Sequence, residues 1–395
     1  MHSAYSPRAS SVVKKNMKYA IPFNRACFVG AERDYIARAI ENGQISGNGS
    51  FTRRCQAFLE SELAVKRALL VTSCTHALEL AAFLLDLQPG DEVVVPSFTF
   101  VSTANAFAVR SAKIVFADVR SDTLNIDETR LSERLSKRTR AVVAVHYGGV
   151  ACELDALQAL LTERGIPLVE DNAHGLFGEY RGRPLGSFGR FATLSFHETK
   201  NFTCGEGGAL LLNDARDTER AEILREKGTN RSRFFRGEVD RYTWVDFGSN
   251  YLLSELSAAF LWAQFEARER VLARRRALWR RYADELKDWA AELGVGLPYV
   301  PDFCRHPAHV FHLLLPTAEW RDELIVQLGE QGILAVFHYL PLHLSPMGRR
   351  YGGRPGLCPV AEDISERLVR LPLYYDLSDA EQERVIAAVR DFRGR

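Results

Sequence analysis

Lys200 closes the run Ser195-Phe196-His197-Glu198-Thr199-Lys200, and Asp171 closes the run Leu168-Val169-Glu170-Asp171. An amine that can condense with an aldehyde, and a carboxylate that can hold a protonated ring nitrogen, are two groups that a pyridoxal phosphate (PLP) site requires. Cys204-Gly205-Glu206-Gly207-Gly208 adds small residues where backbone must approach a cofactor closely. Each part alone has an ordinary explanation. A lysine is usually a solvated charge, an aspartate after an apolar run a turn residue, and a Gly-Glu-Gly-Gly stretch a hairpin. Together they point further, because both polar residues end β-like runs and ligands of open α/β sheets bind beyond the strand carboxyl ends. The segment Thr72-Ser73-Cys74-Thr75-His76-Ala77 lies where a strand passes into a helix, so its N–H groups and the helix dipole suit a phosphate. A plain N-cap at Ser73 or Thr75 is the competing explanation. Phe98 and Phe100 mark another strand end, where core packing competes with stacking on a ring.

Elements able to position these groups alternate along the chain. Strands are expected at Arg67–Thr72, Asp91–Pro96, Ala112–Val119 and Thr139–His146. Helices are expected at Thr75–Asp86, Thr99–Arg110, Asp127–Ser136 and Glu153–Arg164. Such alternation predicts an α/β fold with a mostly parallel sheet covered on both faces. Residues 254–293 read as a long helix, with Val271, Leu278, Tyr282, Leu286, Trp289 and Leu293 on one stripe, connecting a large domain (19–253) to a smaller α+β unit (294–395). In that unit a terminal helix is expected over Asp379–Arg390, and residues 1–18 read as a flexible extension.

Composition excludes several function classes. With 51 basic against 50 acidic residues there is no field to gather nucleic acid, and Arg274-Arg275-Arg276 reads as a solvated helix face. The seven cysteines form no Cys-x-x-Cys pair and read as free thiols of a cytoplasmic protein. No apolar run approaches the roughly 18 residues of a membrane span, so no membrane partner is expected. His306-x-x-His309-x-x-His312 lacks a carboxylate or cysteine at ligand distance, and no metal is expected there.

Thr72–Ala77, Pro96–Asn105, Val169–His174, Ser195–Gly208, Lys227–Ser232, Gly248–Tyr251 and Phe337–His343 occur in the order and spacing of the DegT/StrS nucleotide-sugar aminotransferases. The resemblance runs from Ile21 onward. It implies the PLP-dependent transferase fold of type I, aspartate aminotransferase-like, with a large seven-stranded sheet domain and a smaller C-terminal α+β domain. Phe51–Cys55, Gly149–Glu153, His197–Asn201 and Arg231–Gly237 are most similar to dTDP-4-keto-6-deoxyglucose 4-aminotransferases. That implies transfer of an amino group from L-glutamate to the C4 ketone of the sugar, giving a dTDP-4-amino-4,6-dideoxyhexose and 2-oxoglutarate. Related sugar dehydratases carry histidine where Lys200 stands.

By the same resemblance Lys200 bonds the cofactor, Asp171 holds its ring nitrogen, and His174 lies near its phenolic oxygen. Phe100 stacks on the ring. Cys74, Thr75, the backbone of His76 and the Ser195 hydroxyl surround the phosphate, and Asn250 arrives from the second subunit of a homodimer whose active sites lie at the interface. Arg53, Arg231 and Arg236 are candidate diphosphate partners, because a guanidinium pairs bidentately with phosphate oxygens. His338, Tyr339 and His343 are candidate sugar-nucleotide contacts, with packing at a domain interface as the alternative. His76, Asn172 and Leu252 depart from the family's commoner residues. Amination at C3, and a silent PLP-binding regulator, are the alternative functions.

Overall fold

The computed structural model describes residues 19–394, so the extension expected over 1–18 lies outside them. The first strands are β1 (Arg67–Val71), β2 (Glu92–Pro96), β3 (Lys113–Ala117), β4 (Thr139–Val145), β5 (Leu168–Asp171), β6 (Glu179–Tyr180), β7 (Arg183–Pro184), β8 (Phe191–Ser195) and β9 (Gly208–Leu212). Seven of them form one sheet in the order β1-β9-β8-β5-β4-β2-β3. The block β8-β5-β4-β2-β3 pairs in parallel, while β9 runs antiparallel to both β1 and β8. Every strand except β9 therefore points its carboxyl end to one edge. The sheet is mostly parallel, as the alternation predicts. Its central strands are continuous apolar runs buried on both faces, because helices such as Cys74–Leu84, Val101–Ala108 and Leu154–Glu163 return the chain between parallel strands.

The first crossover helix shows how local sequence sets the geometry. Ser73 is extended and its side chain accepts from the His76 N–H, which starts the helix immediately after β1. Ala77, Leu78, Leu80, Ala81, Ala82 and Leu84 then bury one broad face on the sheet. Truncating a buried leucine such as Leu80 to Ala costs about 2–5 kcal/mol.

Four expectations need correction. The helix over Asp127–Ser136 is only a single turn at Leu131–Arg134, because the Asp127 carboxylate takes both the N–H and the hydroxyl of Thr129 and competes with a helical start. The stretch 254–293 is two helices, Glu255–Glu266 and Arg268–Leu293, broken at Ala267. Arg275 is buried rather than solvated, donating to the carbonyls of Ala308, His309 and Leu373 at 3.1, 2.8 and 3.2 Å. Helices at Glu32–Glu41 and Ser50–Leu63 were not anticipated from the pattern.

The later strands are β10 (Cys304–Arg305), β11 (Phe311–Leu314), β12 (Val336–Phe337) and β13 (Leu368–Leu371). β10 pairs with β6, which pairs on its other side with β7, whereas β11-β13-β12 form an antiparallel sheet of their own. The terminal helix spans Asp379–Arg390 as expected, set by a capping box between Ser378 and Glu381. A separate core gathers Leu278, Tyr282, Leu286 and Trp289 of the long helix against Phe311, Leu313, Val369 and Leu371, while Val271 of the same helix belongs to a core beneath the large sheet. Ile21 is fully buried in the later core and bridges Ile333. Alternation along β13 sends Val369 and Leu371 into that core and leaves Leu368 and Arg370 on the side facing the large sheet.

Candidate active site

Because β1, β2, β4, β5 and β8 are parallel, the residues that follow them converge on one edge. There they line a cavity of about 620 Å³, whose opposite wall comes from the β11-β13-β12 unit. Asp171 is the last residue of β5, in register with Thr193 of the adjacent strand β8, and Lys200 follows in the turn beyond β8, its N–H donating to the His197 carbonyl at 2.9 Å. The two residues read from the sequence thus face one space. Glu170 shows how completely strand alternation separates neighbours. It is buried away from the cavity, accepting from the N–H groups of Gly186, Phe188 and Gly189 at 2.8, 2.7 and 2.7 Å.

Asp171 is 5 % exposed. Its Oδ2 accepts from Thr103 Oγ1 at 2.7 Å and its Oδ1 from the Ala173 N–H at 3.2 Å. Burial pushes this carboxyl above its usual range, while the Thr103 hydroxyl and the Lys200 charge hold it down. Burial acts oppositely on Lys200, bringing its amine down to about 8 against the pull of Asp171. The lysine therefore sheds its proton near neutral pH, as an amine that must act as nucleophile or base requires. His174 lies above, with its Nδ1 accepting from the Gly148 N–H at 3.3 Å, so its own proton sits on Nε2. Gly148 delivers that N–H from a φ of 62°, a left-handed turn suited to glycine. Burial holds His174, His309 and His338 well below the ordinary imidazole value, so all three are neutral.

At the start of the helix Cys74–Leu84, Ser73 occupies the His76 N–H and carbonyl 73 the Ala77 N–H, which leaves those of Cys74 and Thr75 without intrahelical partners. Cys74, Thr75 and Ser195 all line the cavity, and Thr75 Oγ1 lies 2.8 Å from Ser102 Oγ. Gly208 permits this junction, since a Cβ there would lie 2.4 Å from the Ser73 carbonyl carbon. An anion of phosphate size has a cradle here: free N–H groups, hydroxyls and the positive helix end. Phe100 lines the same space and is 56 % exposed, a flat face open to a ring.

His338 and Tyr339 also line the cavity. The remaining sequence candidates stand elsewhere. The His76 ring turns away to Thr72 Oγ1 at 2.5 Å, beside Tyr251, and His343 is buried between Ser97 Oγ at 2.6 Å and Glu362 at 2.8 Å. His343 is therefore a packing residue. Arg53 donates to the Asn48 carbonyl, Arg231 lies over the rings of Phe235 and Tyr242, and Arg236 is paired with Glu222 and Glu238. Asn250 is exposed beside Glu226. None of these four lines the cavity of its own chain. The three histidines of the 306–312 segment diverge: His306 packs on Trp279, His309 enters the cavity beside His174, and His312 lies near Tyr147.

Sequence reasoning missed Thr103, His309 and Arg370. Thr103 follows Phe100 by a helical turn, so a hydroxyl on the face of Phe100 was the available signal. His309 was read only as a potential ligand of zinc. Arg370 interrupts the apolar strand Leu368-Val369-Arg370-Leu371, and a guanidinium within a strand of that kind is itself unusual.

Residues 27–390 match the model of the DegT/DnrJ/EryC1/StrS aminotransferase family. The spore coat polysaccharide biosynthesis protein SpsC of Bacillus subtilis is 31 % identical over 388 residues, covering 96 % of this chain and 98 % of its own. The aminotransferase TlmJ of Streptoalloteichus hindustanus superimposes with a TM-score of 0.85 at 32 % identity, covering 95 % of this chain and 97 % of that one. The proposed sugar aminotransferase Spr1654 of Streptococcus pneumoniae, solved in its PLP form, gives a TM-score of 0.87 at 25 % identity over 94 % of this chain and 98 % of that one.

Proposed function

The chain belongs to the DegT/DnrJ/EryC1/StrS aminotransferase family, and from that premise we propose that it moves an amino group from L-glutamate to the C4 ketone of dTDP-4-keto-6-deoxyglucose. The products are 2-oxoglutarate and a dTDP-4-amino-4,6-dideoxyhexose. The observation that carries the transaminase reading is the convergence of Lys200, Asp171 and the Ser73–Thr75 cradle on one cavity. PLP fits that donor set, and when bound it supplies an aldehyde and a ring that accepts electron density. Cys74, Thr75 and Ser195 would hold its phosphate, Asp171 its ring nitrogen, His174 Nε2–H its phenolic oxygen, and Phe100 one face of its ring.

The chain's own residues divide the work. Lys200, near neutral once its proton is shed, moves the proton at the substrate carbon. Asp171, ionised by the Thr103 and Ala173 donors, keeps a positive charge on its partner nitrogen. Val145, Leu78 and Val310 line the walls and exclude water, which strengthens each electrostatic contact inside.

The dTDP-sugar acceptor is supported by the motif likeness around Arg53, Cys152, Glu198 and Arg231, and a carbohydrate acceptor by the likeness to the spore coat polysaccharide biosynthesis protein SpsC. A homodimer is supported by the surface around Asn250. Phe235, Trp244 and Phe247 are 69, 77 and 68 % exposed there, the kind of apolar face that a second copy covers. In that arrangement Asn250, Arg53, Arg231 and Arg236 serve the neighbouring cavity. Incubation with dTDP-4-keto-6-deoxyglucose and L-glutamate, with the nitrogen located by product NMR, tests the proposal. An amine at C3, or turnover only with a UDP-linked sugar, overturns it.

A further inference from the structure

We propose that the Nε2 lone pair of His309 receives the hydroxyl beside the acceptor's ketone, which fits the cavity to a keto sugar as well as to an amino acid. Asn201 Nδ2 donates to the Pro307 carbonyl at 2.9 Å, and since a carbonyl can only accept, it is the amide nitrogen that must face it. The amide oxygen is thereby turned to His309 Nδ1 at 2.9 Å, and that oxygen cannot donate. The ring proton of His309 is therefore on Nδ1, and Nε2 is bare. Burial is the first cause that holds this ring neutral, with His174 and the charges of Lys200, Arg275 and Arg370 adding to it, so the lone pair stays open. The ring lines the cavity, and among the described residues no donor reaches its Nε2.

The backbone that presents the ring is strained and clasped. Ala308 stands at φ 55°, in the left-handed region that a residue with a Cβ seldom enters. Arg275 donates to the carbonyls of Ala308 and His309 at 3.1 and 2.8 Å, and Asn201 to that of Pro307. Three successive carbonyls are thus held by side chains from other elements, and strain of this kind persists where the surroundings over-determine a functional geometry. The His309 ring lies on His174, with centroids 4.3 Å apart and planes tilted by 36°. Overlaid rings cannot aim their in-plane nitrogens at each other, so the Nε2–H of His174 leaves the His309 lone pair unclaimed. Lys200, Arg370 and His174 bring N–H groups to the same wall. A lone pair among them selects a ligand that donates. L-glutamate, once its nitrogen is engaged, presents only carboxylate oxygens, which the lone pair repels. A keto sugar presents hydroxyls, and in dTDP-4-keto-6-deoxyglucose the one beside the ketone is on C3.

The inference rests on the sugar-aminotransferase reading, and the test separates the two. The sugar half-reaction of PLP-loaded enzyme pretreated with L-glutamate is measured with the keto sugar nucleotide and with its 3-deoxy analogue, for the parent, His309→Phe and Asn201→Leu. The L-glutamate half-reaction is followed separately. The parent should prefer the native acceptor about tenfold in kcat/KM, the worth of one well-placed hydrogen bond. His309→Phe keeps a ring on His174 and removes the nitrogens. It should lose about tenfold on the native acceptor and discriminate less than about twofold, with the L-glutamate half-reaction changed less than about threefold. A parent that takes both acceptors equally, a phenylalanine variant that keeps the parent's preference, or equal losses in both half-reactions overturns the assignment. Should that variant fail to fold, Asn201→Leu decides, because it frees the His309 ring to take the other tautomer: a preference kept at about tenfold refutes, one cut to about threefold or less supports. A parent enzyme that aminates no keto sugar nucleotide refutes the sugar-aminotransferase reading instead.

Discussion

Thr103→Val removes one hydroxyl from beneath Asp171 and keeps the side chain's shape. Thr103 is 1 % exposed and its single proton goes to Asp171 Oδ2 at 2.7 Å, so in its 2.9 Å contact with Thr99 it must accept. Hydrogen bonds to a charged group contribute about 1.5–3 kcal/mol, which at 1.36 kcal/mol per pKa unit corresponds to about one to two units. The Thr103 bond lowers the carboxyl pKa, so its loss raises it. Activity requires the ionised carboxylate and fails as pH drops through its pKa. The acidic limb of kcat/KM for L-glutamate should therefore move up by about one to two pH units, with turnover on the acidic side of that limb reduced about 10- to 100-fold and turnover well above it little changed. Thr103→Ser, which restores the donor, should return both. The assay is a pH–rate profile of the three proteins between about pH 5 and 9. A valine variant whose acidic limb and turnover coincide with the parent's would show that Asp171 is held by something else.

Lys200→Ala should abolish transamination while leaving the melting temperature unchanged or raised, because a half-buried amine disfavoured as a cation is removed; borohydride reduction of the parent followed by peptide mapping should label Lys200 and no other lysine. Mixing Lys200→Ala chains with Asn250→Ala chains should restore one intact site per heterodimer, and no recovery would place Asn250 in its own chain's structure only. Burial brings His312 down to about 4 from an ordinary 6.5, so the unfolded chain binds the extra proton and stability falls as pH drops from 6.5 to 4. The share from this group is about 3 kcal/mol, and denaturant unfolding of His312→Phe should show a correspondingly shallower fall over that window.

The sheet and its reactive edge were legible because the relevant signals are local. Leu168–Asp171 and Phe191–Ser195 are apolar runs ending in polar residues, and strand parallelism alone brings Asp171 and Lys200 to one place. Arg370 and Thr103 carry no comparable signal, since their meaning comes from what stands opposite. A guanidinium in β13 is only unusual until it is known that no acid among the described residues pairs with it. Arg275 shows the reverse error: in a run of three arginines it looks solvated, and only the loop carrying Ala308 and His309 makes it a buried clasp. The lost helix near Asp127 has a third cause, competition from a side chain whose preference depends on the exact turn it adopts.

The Ile21 segment has a consequence for how the chain is made. Its N–H donates to the Gly332 carbonyl at 3.0 Å and its carbonyl accepts from the Leu334 N–H at 2.9 Å, so the earliest described part of the chain completes a core built from the latest. During synthesis the large sheet can close as soon as β9 has emerged, but this segment must wait, unpaired, until residues beyond 330 leave the ribosome. Phe23, which follows it, then comes to rest against Arg370. The walls that one chain gives the cavity are thus completed only after residues as late as Leu373 have emerged.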